Sequence, residues 1–370
     1  MVTFGIEEEF ILIDPKTALP SSRAFEVINL LVAGDGESFT SSSELLACQV
    51  ESVTPVCENA EQALESLLDF RTRLALAAGA AGLAVAATGA APHIDAGPAQ
   101  VSRAERYQQM GQLTGAITDD QYVNGTHVHV EVPTREDGVR VLNRLRPWLA
   151  TVGAISANSP YWRGLDSRFA SWRLIHYRRW SVQGFPPLFL DAADYDARLK
   201  RLTATDAVLD TGHVGWIARL SERYPTVEVR VADTQLEARE AVLLALIIRG
   251  LVSTVLAETG TAAGAESRTD PELLDAGLWQ AARFGLGGRL LNHAPGTGDG
   301  DGGTGAGAQV DALLAYISPA LEQSGDYAEV SSGLAHVLAS GTGAQRQREA
   351  VRGGGFAALS RLFAQSLTAR

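Results

Sequence analysis

At 370 residues, 46% hydrophobic and 20% charged, the chain has enough apolar material for a full core, which excludes disorder over most of its length. A formal net charge of −12 argues against nucleic acid or an anionic membrane as partner, because a basic face is needed to neutralise phosphates; a small metabolite is expected instead. The two lysines, Lys16 and Lys200, lie outside any G-x-x-x-x-G-K-[ST] loop, so a P-loop nucleotide site is excluded too.

In chain order, residues 4–13 read as a strand with Glu7, Glu9, Ile11 and Ile13 on one face and Ile6, Glu8, Phe10 and Leu12 on the other, closed by Pro15 and Pro20. Residues 50–54 read as a second short strand, 58–81 as an amphipathic helix and 82–88 as a buried strand. A helix over 103–117, a strand over 121–132 with a turn at Asn124-Gly125, and a helix over 139–156 follow. Residues 158–187, rich in Trp, Arg, Tyr, Gly and Pro, have no periodicity; a loop this long with such aromatic content is expected to be functional. Residues 226–232 read as a strand, and 237–258, 271–284 and 309 onward as helices.

The apolar run 242–257 is shorter than the ~20 residues of a membrane span and contains Arg249, so it reads as a buried helix that could serve a core or a homo-oligomer interface. Residues 296–307 contain G-x-G-x-x-G at Gly298, Gly300 and Gly303, but no strand precedes it and Asp299 and Asp301 would repel a pyrophosphate; a flexible linker is expected. Strands and helices mix without regular alternation, which favours an α+β domain, taken as single over residues 1–370. Cys48 and Cys57 read as packing residues, and an N-terminus without signal-peptide character points to a reducing, cytoplasmic setting.

The chemistry lies in four short segments. Glu7 and Glu9, at i and i+2 on a strand, can each ligate a cation or form an exposed acidic edge. Glu44 and Glu51 face the same way only if the chain bends between them, and otherwise read as solvated. His127 and His129 share a strand face, as metal ligands, phosphate donors or structural groups. Glu228 and Arg230 share another, with a surface ion pair as the plain reading. Two carboxylates ~4 Å apart repel by ~4 kcal/mol at an effective dielectric near 20, so an inward cluster of them needs hard divalent cations such as Mg²⁺ or Mn²⁺. No Cys pair or H-E-x-x-H occurs, which disfavours zinc.

Together with QVESVTP, SANSPYWRG and LWQAARFGL, the strings GIEEEFILID, VNGTHVHVEV and HVGWIARLSERYPTVEVRVADTQ resemble the bacterial carboxylate-amine ligases of the glutamate-cysteine ligase type 2 group, from residue 4 to about residue 290, with a weaker echo at 345–348. The resemblance implies a glutamine synthetase-like α+β fold: a curved, mainly antiparallel sheet, lined with acidic residues that hold Mg²⁺ around ATP, with helices on its outer face. It implies Glu9, Glu44 and Glu51 as ligands of one metal, and Glu7, His127 and Glu228 as ligands of a second. Arg230 matches a contact to the transferred phosphoryl group or acceptor carboxylate, His129 a phosphate contact, and Arg173 is a candidate substrate clamp or a structural arginine. The expected reaction is ATP-dependent amide formation through an acyl phosphate, with glutamate as acid and cysteine as a candidate amine. A guanidino-kinase-like phosphotransferase, a metal-dependent hydrolase and a non-catalytic metabolite-binding protein are the alternatives.

Overall fold

The structure is a computed structural model, and it describes residues 2–33, 40–258, 269–291 and 303–369. Seven strands form one antiparallel sheet: β1 (Phe4–Ile13), β2 (Thr40–Ser43), β3 (Gln49–Val53), β4 (Ala84–Ala86), β5 (Gly125–Glu131), β6 (Ala218–Leu220) and β7 (Thr226–Asp233). Their order is β6-β7-β5-β1-β3-β2, and β4 pairs with the end of β1. The helices are α1 (Ala24–Ala33), α2 (Ala60–Ala80), α3 (Glu105–Thr114), α4 (Arg135–Ile155), α5 (Trp172–His176), α6 (Ala192–Thr203), α7 (Ala238–Ala257), α8 (Pro271–Phe284), α9 (Ala306–Ser324), α10 (Tyr327–Ser340) and α11 (Gly343–Leu367).

Alternation gives the sheet two chemically different faces. Ile6, Val128, Val130, Val227 and Val229 turn one way and are buried under α4 and α7, while Phe10 stacks on Phe70 of α2. Glu8 lies on this apolar face, as its parity requires, and is fully buried. The Arg71 guanidinium of α2 meets it with two hydrogen bonds, of 2.9 and 2.6 Å, and donates further to the Leu236 and Gln235 carbonyls. Each guanidinium nitrogen and each carboxylate oxygen of the pair thereby has at least one partner, the condition under which a buried ion pair is tolerated.

Helix α7 is long and apolar enough to cross a membrane, yet 72% of its most apolar window is buried among the other helices and the sheet. Arg249, the interruption visible in the sequence, donates to the Glu58 carbonyl and pairs with Asp326. The sequence suggested a buried helix serving a core or an interface, and the structure packs it in the core.

Asn124-Gly125 forms no turn. Asn124 is buried, its N–H donates to the Gly89 carbonyl at 2.9 Å, and β5 begins directly at Gly125. Burial and backbone pairing override the turn preference of this dipeptide. The aperiodic stretch contains the short hairpin of Tyr161–Trp162 with Leu165–Asp166, then α5 and a 3-10 turn over Tyr177–Arg179. Most of the expected linker, residues 296–302, lies outside the described residues; Thr304–Gly305 pairs with Arg289–Leu290, and α9 starts at Ala306, so the end of that range is ordered structure.

Candidate active site

The other face of the sheet carries the polar residues, and strand register brings them together. Glu9 stands directly opposite Glu51 across β1 and β3, Glu7 opposite His127 across β1 and β5, and His129 opposite Glu228 across β5 and β7. Cross-strand partners have Cβ atoms about 5 Å apart, so the residues meet by construction of the ladder. The bend required between Glu44 and Glu51 is the β2–β3 hairpin: Ser42 pairs with Glu51, and Glu44 follows β2 immediately.

Carboxylate and imidazole atoms converge into three groups, each with its ligand atoms within 4.8 Å of one another: Glu9 with Glu44 and Glu51, Glu7 with Glu51 and His127, and Glu7 with His129 and Glu228. The first brings together the three residues expected to share one metal. In the other expected set, His127 Nδ1 lies 3.1 Å from Glu7 and 4.0 Å from Glu228, so all three adjoin, while His129 also enters, 3.2 Å from Glu7.

Glu9 accepts from the Gly125 N–H at 2.6 Å, Glu51 from the Ser42 hydroxyl at 3.0 Å, and Glu44 from the Leu45 N–H at 2.7 Å and from Tyr107. Among the described residues no lysine or arginine forms an ion pair with any of these three. Burial and the neighbouring Glu44 charge push the Glu9 carboxyl up to about 7. Burial, with Glu44, Glu7 and Glu9 adding repulsion, raises Glu51 well above the usual range, and burial raises Glu44.

The opposite end carries its own cations. Arg219 of β6 grips Glu228 with hydrogen bonds of 2.7 and 3.3 Å, and Arg230 pairs with the same carboxylate. Burial would raise Glu228, but the two arginines outweigh it and hold it well below the usual range. Burial would also raise Glu7, and hydrogen bonds with His127 and His129 reverse that to a net lowering. Burial lowers His127 to about 4 and so keeps it neutral, as a metal ligand must be, whereas His129 is raised because Glu7 and Glu228 outweigh its burial. The Arg230 side chain is 15% exposed, and its buried Nε has no acceptor.

Arg173 is 3% exposed and donates to the Arg230 and Val231 carbonyls at 3.0 and 3.3 Å, where the β5–β7 register slips. Its guanidinium fills the space a side chain at position 125 would need, so Gly125 is required there by close approach. In this placement Arg173 supports a bulge beneath the site, and its charge also acts on Glu9. Sequence reading missed Arg219 and Tyr107. Folding the hairpin across Pro225 sets Arg219 opposite Glu228, so pairing Ala218–Leu220 with the following strand would have found it. Tyr107 reaches Glu44 only through tertiary packing and left no signal.

The sequence profile of "Glutamate-cysteine ligase family 2(GCS2)" matches residues 3–360. A protein of Mycolicibacterium smegmatis provisionally named glutamate–cysteine ligase 2-3 is 37% identical over 94% of this chain and 93% of its own length. One of Nocardia farcinica, provisionally named glutamate–cysteine ligase 2-1, is 42% identical over 93% of this chain and 88% of its own. Among solved structures, the glutamate–cysteine ligase of Francisella tularensis in complex with AMP superposes with a TM-score of 0.70 at 13% identity, covering 100% of this chain and 89% of that one. A bifunctional glutathione synthetase from Pasteurella multocida gives 0.67 at 13% identity; this chain covers 52% of its length, about half. These structural likenesses establish the fold, the α+β arrangement expected of glutamine synthetase-like ligases.

Proposed function

Because the chain belongs to glutamate-cysteine ligase family 2, we propose that it is an ATP-dependent carboxylate–amine ligase acting on L-glutamate through the side-chain carboxylate. L-cysteine is the proposed amine, giving γ-glutamylcysteine. The observation that carries this reading is the division of one sheet face into a carboxylate group with no lysine or arginine ion pair among the described residues and an arginine pair with a free N–H. Such a face suits a polyphosphate held between divalent cations and guanidinium groups.

Oxygen donors alone at Glu9, Glu44 and Glu51, with raised proton affinity and, among the described residues, no lysine or arginine ion pair, fit a hard cation such as Mg²⁺ or Mn²⁺. These three residues would hold one ion, and Glu7, His127 and Glu228 a second. Bound there, Mg²⁺ supplies charge neutralisation for the ATP phosphates. A carboxylate is a poor acyl donor, so its oxygen first takes the γ-phosphoryl group and ADP leaves. The amine nitrogen then attacks the acyl carbon, the tetrahedral oxyanion collapses with loss of phosphate, and the nitrogen sheds a proton. Arg230 would face the transferred phosphoryl group and the oxyanion, with His129 as a phosphate contact. The AMP bound by the Francisella ligase is consistent with nucleotide use in this fold. Two free, buried cysteines agree with a cytoplasmic, reducing location.

The test is incubation with ATP, Mg²⁺ and glutamate against a panel of amines, following phosphate release and the mass of the amide. Amide formed in step with phosphate supports the proposal. A stable phosphorylated guanidine, turnover indifferent to ATP, or binding without turnover would each replace it.

A further inference from the structure

Asp233, the last residue of β7, is 1% exposed and forms no ion pair among the described residues. Its Oδ2 accepts from the Asn158 N–H at 2.8 Å and from the Ser159 hydroxyl at 2.7 Å, and its Oδ1 accepts from the Ser171 hydroxyl at 2.8 Å. Burial raises its proton affinity, so this carboxylate is retained at a cost. Packing alone would not favour it, since an apolar residue of the same volume avoids that penalty.

What the carboxylate reaches explains its presence. The Ser159 hydroxyl in turn accepts from the Arg173 N–H at 3.1 Å, and the Ser171 hydroxyl accepts from the Leu174 N–H at 3.2 Å. Asp233 therefore fixes the first turn of α5 through two serines. From that turn Arg173 extends to the Arg230 and Val231 carbonyls, and at the other end of α5 Tyr177 hydrogen-bonds the Arg230 side chain. The bonds make a closed circuit from the end of β7 through α5 and back to Arg230, three residues before Asp233. Three donors on two oxygens is a demand that a carboxylate meets and an amide, with one acceptor oxygen, does not.

We propose that Asp233 is a positioning residue for Arg230, acting through Ser159, Ser171 and α5 to fix the guanidinium in the orientation used toward phosphoryl groups. The proposal rests on the ligase reading for what Arg230 does, and on geometry alone for what holds it. Asp233→Asn should lower kcat by about 10- to 100-fold with little change in KM for ATP, as expected of a displaced transition-state contact. Ser171→Ala, a gentler break in the same circuit, should lower kcat by a smaller factor.

The decisive comparison is a double-mutant cycle. If Asp233 acts through Arg230, Asp233→Asn adds almost nothing to Arg230→Lys; a purely structural role gives multiplying losses and a matching fall in melting temperature, which overturns the proposal. A second measurement does not depend on turnover: the guanidinium Nε–H signal of Arg230 in ¹⁵N–¹H spectra, assigned by its disappearance in Arg230→Lys. Asp233→Asn and Ser171→Ala should shift it and speed its solvent exchange while the melting temperature holds; an unchanged signal overturns the proposal. A wild-type chain that forms no amide defeats the ligase reading, and the spectra still decide this one.

Discussion

On the β1–β3 side of the polar face, Glu9, Glu44 and Glu51 crowd together, and their close partners among the described residues are hydroxyls, backbone N–H groups and the neutral His127 ring, 3.7 Å from Glu9. On the β6–β7 side, Glu228 stands between Arg219 and Arg230. The residue types of the two sides overlap, yet their charge balance is opposite. The first side has no lysine or arginine counter-ion at pairing distance among the described residues, whereas the second brings its counter-ions in the fold and can be organised before any ligand arrives. Removing a carboxylate should therefore have opposite consequences for stability on the two sides, even where both removals abolish activity.

The largest effect expected is on turnover. Glu51→Gln or Glu9→Gln should reduce ADP release by at least about 10³-fold, since metal-borne charge neutralisation is worth several kcal/mol. The metal-free variants should melt no lower than wild type, because repulsion has been relieved. Undiminished turnover in either variant would remove that residue from the metal set.

Next in size, Glu228→Ala should destabilise the chain by about 2–3 kcal/mol in a urea titration, because two largely buried guanidinium groups lose their shared carboxylate, Arg219 keeping only the Gly212 and Val214 carbonyls. A melt as stable as that of Glu51→Gln would erase the distinction between the two sides.

The pH dependence sharpens the contrast. Glu9 rises from an ordinary 4.5 to about 7 in the folded chain, so the folded state holds more protons than the unfolded one between those values. Its share of stability is present below about 4.5 and is lost as pH rises through about 7. Glu228 is lowered, so its share is present above the unfolded value near 4.5 and disappears as pH falls through its depressed folded value. Thermal melts without metal should therefore lose stability from pH 5 to 8, and the melting-temperature gain from added Mg²⁺ should be larger at pH 8 than at pH 6. A gain independent of pH would contradict the raised carboxyls. The smallest effect belongs to the half-exposed Arg106–Asp210 pair at 2.7 Å: Arg106→Ala should change stability by no more than about 1 kcal/mol in the same titration.

Which parts were legible in the sequence follows from the range of the interactions. The parity of β1 was plain because a strand repeats every two residues, and it placed Glu7 and Glu9 on one face with Glu8 on the other. The role of Glu8 was not legible, since its partner Arg71 lies on a helix 63 residues away. The His127-x-His129 alternation was equally plain, but the turn expected at Asn124-Gly125 was wrong because the glycine is there to admit Arg173. Helix α5 has five residues, too few for any periodicity, so the element that supports Arg230 read only as an aromatic loop. The β6–β7 hairpin and its Arg219 were overlooked because β6 is three residues long. Order of motifs carried the family; the division of charge needed the third dimension.

The central claim, that the cation-poor carboxylates hold metal, is tested most directly by anomalous diffraction from crystals grown with Mn²⁺ and an ATP analogue. The account predicts a strong peak bonded to oxygens of Glu9, Glu44 and Glu51, lost in Glu51→Gln. Manganese seated elsewhere, with those three carboxylates touching only water and one another, would contradict it.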